Sequence, residues 1–504
     1  MTPEAAYAKL IDIAREAALL DSCAELLGWD EETCMPPGGV AQRGRQLALL
    51  AGLAHDRWTD PQISELLTQI ETSYLVADPL SVEAVNVREL RRGYDRARRV
   101  PRKLVAELAQ VTSLAHQEWA LARRRDDFSR FRPWLERILA LKRREIDALG
   151  WEADPYDALL DDYEPGARTA AVADLLVTLC EELAPLLAAI QGSPRQPDAS
   201  ILARRFPLQR QRTFAHKVAA AVGFDFANGR LDATTHPFFS AIGPGDTRIT
   251  TRYSMHRFGP AFFATLHEVG HGLYEQGLPA EHHGTPMGQA PSLGMHESQA
   301  RLWENAVGRS QGFWRHFFPL ARRMFTAALR DVGTDAFLFA VHHVSPSLIR
   351  MEADEVTYNP HIRIRFELER ALIRGDLLTA DLPAAWNEAY RCFLGVVPPD
   401  DTEGCLQDSH WAAGMFGYFP TYTLGNVFAA QLTARAANEL GDLDALFSRG
   451  DFLILRDWLG QRVYAEGGRY PAAQLIQKVT GAAPDHQPLV RALWREYGEV
   501  YGII

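Results

Sequence analysis

The sequence predicts a mainly α protein with one small patch of β structure, and three observations carry that expectation. Apolar residues recur at i, i+3, i+4 and i+7 through YAKLIDIAREAALLDSCAELL (7–27), PRKLVAELAQVTSLAHQEWALARR (101–124) and FRPWLERILALKRREIDALG (131–150). That is the period of a helix with one buried face. Strict alternation is scarce, and its best instance is TRITTRYSM, residues 247–255, the expected strand. Only QGSPRQPDAS, 191–200, has the Pro, Ser and Gly content of a linker, and no internal repeat divides the chain further. The expected organisation is a single unit, 1–504, with a helical N-terminal lobe of about 1–195 and a second lobe of about 196–504.

Composition narrows the partners. Hydrophobic residues at 47% and charged residues at 23% are ordinary for a globular chain with a large core. A formal net charge of -11 argues against nucleic acid or an anionic membrane as the main partner, since both attract a basic face. The opening MTPEAAYAKLIDIAREAALL is broken by charges and lacks the apolar core of a signal peptide, and no later run has the length of a membrane span. Five cysteines, Cys23, Cys34, Cys180, Cys392 and Cys405, are widely spread without a CxxC. They read as free thiols in a reducing compartment, so a cytoplasmic location is expected.

The segment FFATLHEVGHGLYEQGLP, 262–279, carries chemistry. Residues i and i+4 of a helix share a face, so His267 and His271 aim at one point. Glu268 is rotated from His267 by roughly 100° and stands beside that point, where it faces a metal-bound water. Gly259-Pro260 is expected to precede this helix, with Pro260 suited to its first turn, and Gly277 followed by Pro279 to close it. Gly270 and Gly272 inside it each cost roughly 1 kcal/mol against Ala, which makes sense where another backbone or a ligand comes close.

A catalytic zinc usually takes three protein ligands and leaves the fourth position open. Downstream, GLPAEHHGTPMGQAPSLG reads as a loop and MHESQARLWENAVGR as a helix. The candidates are His282 and His283 in the loop, and His296, Glu297 and Glu304 on the helix. A rigid helix places a ligand better than a loop. Glu297 lies 30 residues after His267, enough for the second helix to return beside the first. A His2Glu site of His267, His271 and Glu297 follows, with Glu304 suited to orienting a ligand imidazole.

Further segments accompany HEVGH and HESQARLWEN: His236-Pro237-Phe238, Asp246, Arg248 and Thr250 in DTRIT, Arg350 and Asp354 in IRMEAD followed by EVTYN, and GCLQDSHW from Gly404 to Trp411 followed by GYFPTYTLGN. With LGWDEETCMPPGG and PYDALLDDYEPG, they resemble the carboxypeptidase Taq family of metallocarboxypeptidases from about residue 20 to the C-terminus. The resemblance implies a neurolysin-like helical zincin, saddle- or clamshell-shaped, with the metal deep in a groove, usually homodimeric. It implies release of single amino acids from the free C-terminus of peptides with broad specificity. Zinc is the implied metal, with cobalt often supporting activity, and the implied ligands are again His267, His271 and Glu297. Glu268 takes the family's catalytic carboxylate. Pro360 after YN and Cys405 in GCLQDSHW depart from the usual pattern without touching a catalytic position.

Other tasks fall to motif residues. His410 and Tyr422, twelve apart, are the expected donors to a tetrahedral oxyanion, with Tyr418 in reserve. Reading a substrate carboxylate calls for the planar fork of an arginine. Arg350 leads, Arg248 and Arg252 are rivals, and Asp354 is placed to hold Arg350 through an i, i+4 pair. His236 and Gln407 are candidates to line the groove. The alternatives are an oligopeptidase or dipeptidyl carboxypeptidase on the same scaffold, or a zincin-like binding protein without catalysis.

Overall fold

A computed structural model of the chain describes residues 1–503. Six helices open the chain: α1 (Pro3–Thr33), α2 (Val40–Trp58), α3 (Pro61–Glu71), α4 (Val82–Arg99), α5 (Arg102–Arg125) and α6 (Phe128–Leu149). The three periodic segments of the sequence fall on α1, α5 and α6, with only the caps Pro101 and Gly150 outside the helices. α1 starts where the Thr2 hydroxyl accepts from the Ala5 N–H at 3.3 Å, with Pro3 in the first turn, where its missing N–H costs nothing.

The cores do not divide at the 191–200 stretch. Leu10, Leu67, Ile70 and Leu90 make one core of α1, α3 and α4. α5 and α6 instead bury Val111, Leu135 and Ile138 against Ile362, Phe366, Trp386 and Trp411, more than two hundred residues later. Leu179, Leu186 and Ile190 pack with Leu493, Tyr497 and Tyr501 at the other end of the chain. Residue 195 is therefore a connection between helices and not a boundary between two cores. The fourth and largest core surrounds the helix Phe258–Gly277, with Phe262, Leu266, Val269 and Leu273 against Trp303, Trp314 and Phe337.

The β patch is a three-stranded sheet of β1 (Gly229–Ala233), β2 (Phe239–Gly243) and β3 (Asp246–Thr251). β3 is central, parallel to β1 and antiparallel to β2, with Leu231 and Phe239 both opposite Ile249. The expected strand is thus real from 247 to 251, and residues 252–257 leave it toward the Phe258–Gly277 helix. β1 and β2 escape a periodicity reading because each is five residues long and bounded by glycine or polar turns. The sheet lies on that helix: Thr251 Oγ1 is 2.9 Å from Thr265 Oγ1, and Ile249 is wholly buried.

Candidate active site

Two glycines let the helices of the site approach. A Cβ on Gly270 would lie 2.6 Å from both Ala300 Cα and Gln299 O, so only glycine lets the helix Leu293–Arg301 dock there. A Cβ on Gly272 would meet the Phe224 ring at 2.6 Å. The close approach that those interior glycines suggest is another backbone and an aromatic ring. The helix starts at Phe258, so Gly259 and Pro260 are inside its first turn.

The Leu293–Arg301 helix has a built N-terminus. Ser292 Oγ accepts from Met295 N–H at 3.0 Å, Tyr163 O from Leu293 N–H at 3.0 Å and Glu164 Oε2 from Gly294 N–H at 3.1 Å. PYDALLDDYEPG thus ends by satisfying the free N–H groups of this helix. From Leu302 to Val307 the chain continues as a π-helix, a wider turn that changes which side chains share a face.

His267, His271 and Glu297 converge, each offering one ligand atom within 4.8 Å of the others. Glu297 Oε2 is 3.6 Å from His267 Nε2 and 3.8 Å from His271 Nε2. Donors about 2.0–2.2 Å from a tetrahedral ion stand roughly 3.3–3.5 Å apart, so the set fits a divalent ion with little adjustment. The other atom of each group is already engaged. His267 Nδ1 is 2.9 Å from Glu304 Oε2, His271 Nδ1 is 2.6 Å from His296 Nδ1, and Glu297 Oε1 accepts from Arg301 Nε at 2.6 Å. Arg301 Nη1 also donates to Glu304 at 3.2 Å, tying the two carboxylates together. Glu304 therefore stands where an orienter of the His267 ring belongs. His282 ends the 3-10 turn that follows Pro279 and His283 comes directly after it, both outside the converging set.

Glu268 sits next to this set, 6% exposed, and its Oε2 has no hydrogen-bond partner. Burial pushes its carboxyl up to about 7. Burial drives His271 well below the ordinary imidazole range, which favours the neutral ring a ligand needs. Glu304 is held down near 2: burial alone would raise it, but Arg301 and His267 together prevail.

A second cluster surrounds Arg350. Its Nε and Nη2 donate to Asp408 Oδ1 at 3.2 and 2.9 Å, and its Nη1 donates to the Tyr358 hydroxyl at 3.0 Å. Asp408 Oδ2 takes Arg365 Nε at 2.6 Å, so one carboxylate lies between two guanidinium groups. Asp354 does not hold Arg350: it accepts from Ser345, Val356 and Thr357 N–H and caps its own turn. Of the five N–H hydrogens of Arg350, three are used and two remain. His410 Nε2 lies 3.2 Å from the Tyr422 hydroxyl, and the Tyr418 and Tyr422 rings pack at 5.3 Å. Burial pushes His410 down to about 3, so its ring is neutral near pH 7.

Arg248 is differently placed. It forks onto Asp246 at 2.8 and 2.7 Å and stacks on Trp29, 4.3 Å from the ring centroid. The DTRIT and LGWDE segments thereby fasten the sheet to α1, with Arg248 held by Asp246 along its Nε–Nη2 edge and by Trp29 against one face. Arg252 and His236 are exposed beside the sheet. Gln407 is buried, accepting from Arg350 N–H and Arg365 Nη2 and donating to Leu348 O, which fixes the Arg350 turn. Sequence reasoning missed Asp408, Tyr358 and Arg301. Arg301 had a local signal, four residues after Glu297, whereas Asp408 stood in GCLQDSHW with nothing local to pair it with Arg350.

Two imidazoles on successive turns, a carboxylate from the next helix and an unpartnered glutamate beside them put the chain in the class of HExxH metallopeptidases. It belongs to the carboxypeptidase Taq (M32) metallopeptidase family, whose profile matches residues 9–497, and it is a metallocarboxypeptidase. It is 53% identical to thermostable carboxypeptidase 1 of Thermus thermophilus over 511 aligned positions, covering 100% of both chains. Carboxypeptidase 1 of Bacillus subtilis is 35% identical over 98% of each. Among solved structures, the M32 carboxypeptidase from Deinococcus radiodurans R1 superposes with a TM-score of 0.94 at 40% identity, covering 99% of this chain and 100% of that one.

Proposed function

We propose that this carboxypeptidase releases single amino acids from peptides with broad side-chain tolerance, using zinc held by His267, His271 and Glu297. A divalent ion there supplies an acidified water and an electrophile for the scissile carbonyl. Glu268 is the group that takes the proton of the attacking water and returns it to the leaving amine. The buried, unpartnered Oε2 of Glu268 beside three converging ligand atoms carries this reading. Burial raises its carboxyl above the ordinary carboxylate range, which makes it a better proton acceptor than an exposed glutamate.

The oxyanion that forms needs donors that do not have to reorganise. The Tyr422 hydroxyl is such a donor when the neutral His410 ring gives it Nε2–H and so leaves the phenol O–H free, with Tyr418 packed beside them. Arg350 is the reader of the substrate carboxylate. Asp408 fixes its plane, and its two unused N–H hydrogens match one carboxylate. Arg248 remains the rival for that task; its Nε–Nη2 edge is on Asp246 and its face is on Trp29 of α1. Cobalt replacing zinc, a homodimer and a cytoplasmic location belong to the same reading. The five cysteines are all free, as a reducing compartment allows, and among the described residues no helix is long and apolar enough to cross a membrane.

The test is a peptide with a free C-terminus and its amide, each incubated with the zinc-loaded protein and followed by mass spectrometry. Stepwise loss of single residues from the free peptide alone is expected. Equal cutting of the amide would remove the carboxylate-reading role of Arg350, and release of dipeptides would favour the dipeptidyl alternative.

A further inference from the structure

Behind His271 lies a second histidine that the chemistry above does not use. His296 Nδ1 is 2.6 Å from His271 Nδ1, and His296 Nε2 is 2.8 Å from Glu275 Oε1. His271 and Glu275 are one turn apart on the Phe258–Gly277 helix, and His296 reaches them from the Leu293–Arg301 helix. Phe239 of β2 covers both imidazoles, its ring centroid 4.6 Å from His271 and 4.5 Å from His296. His296 is 4% exposed.

The protons of this chain can be assigned by elimination. An imidazole that binds an ion through Nε2 has no proton there, so the neutral ring carries it on Nδ1. His271 Nδ1 must then donate, and its neighbour at 2.6 Å must accept. A His296 that accepts on Nδ1 keeps its proton on Nε2, where Glu275 Oε1 receives it. The opposite arrangement, with His296 Nδ1–H donating to His271, leaves a proton on His271 Nε2 and blocks the ion. The carboxylate of Glu275 favours the first arrangement because it can only accept.

We infer that Glu275 and His296 form a positioning relay that sets the tautomer and ring plane of His271, so that its Nε2 is presented to the ion. The inference rests on the reading of His271 as a ligand. The two imidazole ligands are then held differently: His267 directly by the carboxylate of Glu304, His271 by a neutral ring backed by a carboxylate. Neither His296 nor Glu275 touches the substrate.

The experiment compares the full-length protein with His296→Leu, His296→Asn and Glu275→Leu, measuring zinc affinity by competition with a chromophoric chelator. The absorption spectrum of each cobalt-loaded protein is recorded alongside. His296→Leu is expected to weaken zinc binding by roughly 10–100-fold and to alter the cobalt spectrum. His296→Asn should recover most of the affinity, because its side-chain oxygen can accept from His271 Nδ1–H. Glu275→Leu should fall between them. Nitrogen-15 spectra of the zinc-loaded unsubstituted protein should show His296 protonated on Nε2 and bare on Nδ1. Unchanged affinity in folded His296→Leu, equal weakness of His296→Asn, or a proton on His296 Nδ1 would overturn the relay. An unsubstituted chain that binds no zinc would overturn the ligand reading itself, and the relay with it.

Discussion

Glu268 is the residue on which the reaction turns, and it can be separated from the ion. Glu268→Gln keeps nearly the same volume and leaves His267, His271 and Glu297 in place. Zinc content measured by elemental analysis should therefore stay at one ion per chain, while kcat falls by roughly 10²–10⁴-fold, the usual contribution of a general base. Glu297→Ala should do the reverse first and lose the ion, because two imidazoles alone remain and Arg301 keeps only Glu304 of its two carboxylate partners. Zinc retained by that variant after dialysis would count against Glu297 as a ligand. At this scale, what was legible depended on sequence distance. His267 and His271 face one point because four residues are one helical turn. Arg350 finds its carboxylate 58 residues away in Asp408, and no local period links the two, so the sequence suggested the nearer Asp354. Arg248 shows a related limit: its motif position did not reveal that it pins a strand to Trp29.

Between elements, the critical dimension is the gap between helices. Gly270 brings the Phe258–Gly277 helix onto the backbone of Ala300, and Gly425 brings the helix Pro420–Leu440 onto Glu297, where a Cβ would lie 2.5 Å from Cγ. Gly270→Ala must therefore push the ligand-bearing helices apart, since its near neighbours are backbone atoms that cannot rotate away. Overpacking of this kind costs about 1–3 kcal/mol. Thermal unfolding should report that loss, and chelator competition should report weaker zinc binding. Stability lost with zinc affinity unchanged would show that the helix gap does not set the ligand spacing. Long amphipathic helices such as α1, α5 and α6 were readable because ten or more residues repeat one period. β1 and β2 were not, because their five residues become strands only by pairing with β3. The π-helix at Leu302–Val307 was equally hidden. Ideal helical spacing places Glu304 two turns above Glu297, and the wider turn brings it onto His267 instead.

For the whole molecule, packing joins distant parts of the chain, and buried carboxyls make its stability depend on pH. The cores cross residue 195 because α5 and α6 present apolar faces that the Tyr358–Arg374 and Leu382–Leu394 helices help to cover, a match with no trace in local sequence. Glu164, sealed under the start of the Leu293–Arg301 helix, is pushed by burial up to about 7 from 4.5. The folded chain therefore favours its protonated form. This costs nothing below about pH 4.5, where the unfolded chain is protonated as well, and stability declines as pH rises through about 7. The full effect is on the order of 3 kcal/mol. Glu164→Gln should be more stable than the parent at about pH 8 and no more stable at about pH 5, as read by urea unfolding. Asp408 acts with the opposite sign. Burial would raise its carboxyl, but Arg350 and Arg365 outweigh burial and hold it well below the usual range. Its contribution is present above about pH 4 and is lost as the solution becomes more acidic.

Glu304, His296 and Arg301 each hold one converging ligand in place within the folded chain. Loading an ion onto such a centre orders almost no backbone and removes almost no apolar surface from water. The heat capacity of binding, measured by titration calorimetry at several temperatures, should then lie near zero, unlike domains whose metal uptake is their folding. Chelation should lower the unfolding midpoint only by the mass-action contribution of the lost ion, and leave the far-ultraviolet circular dichroism of the apo chain unchanged.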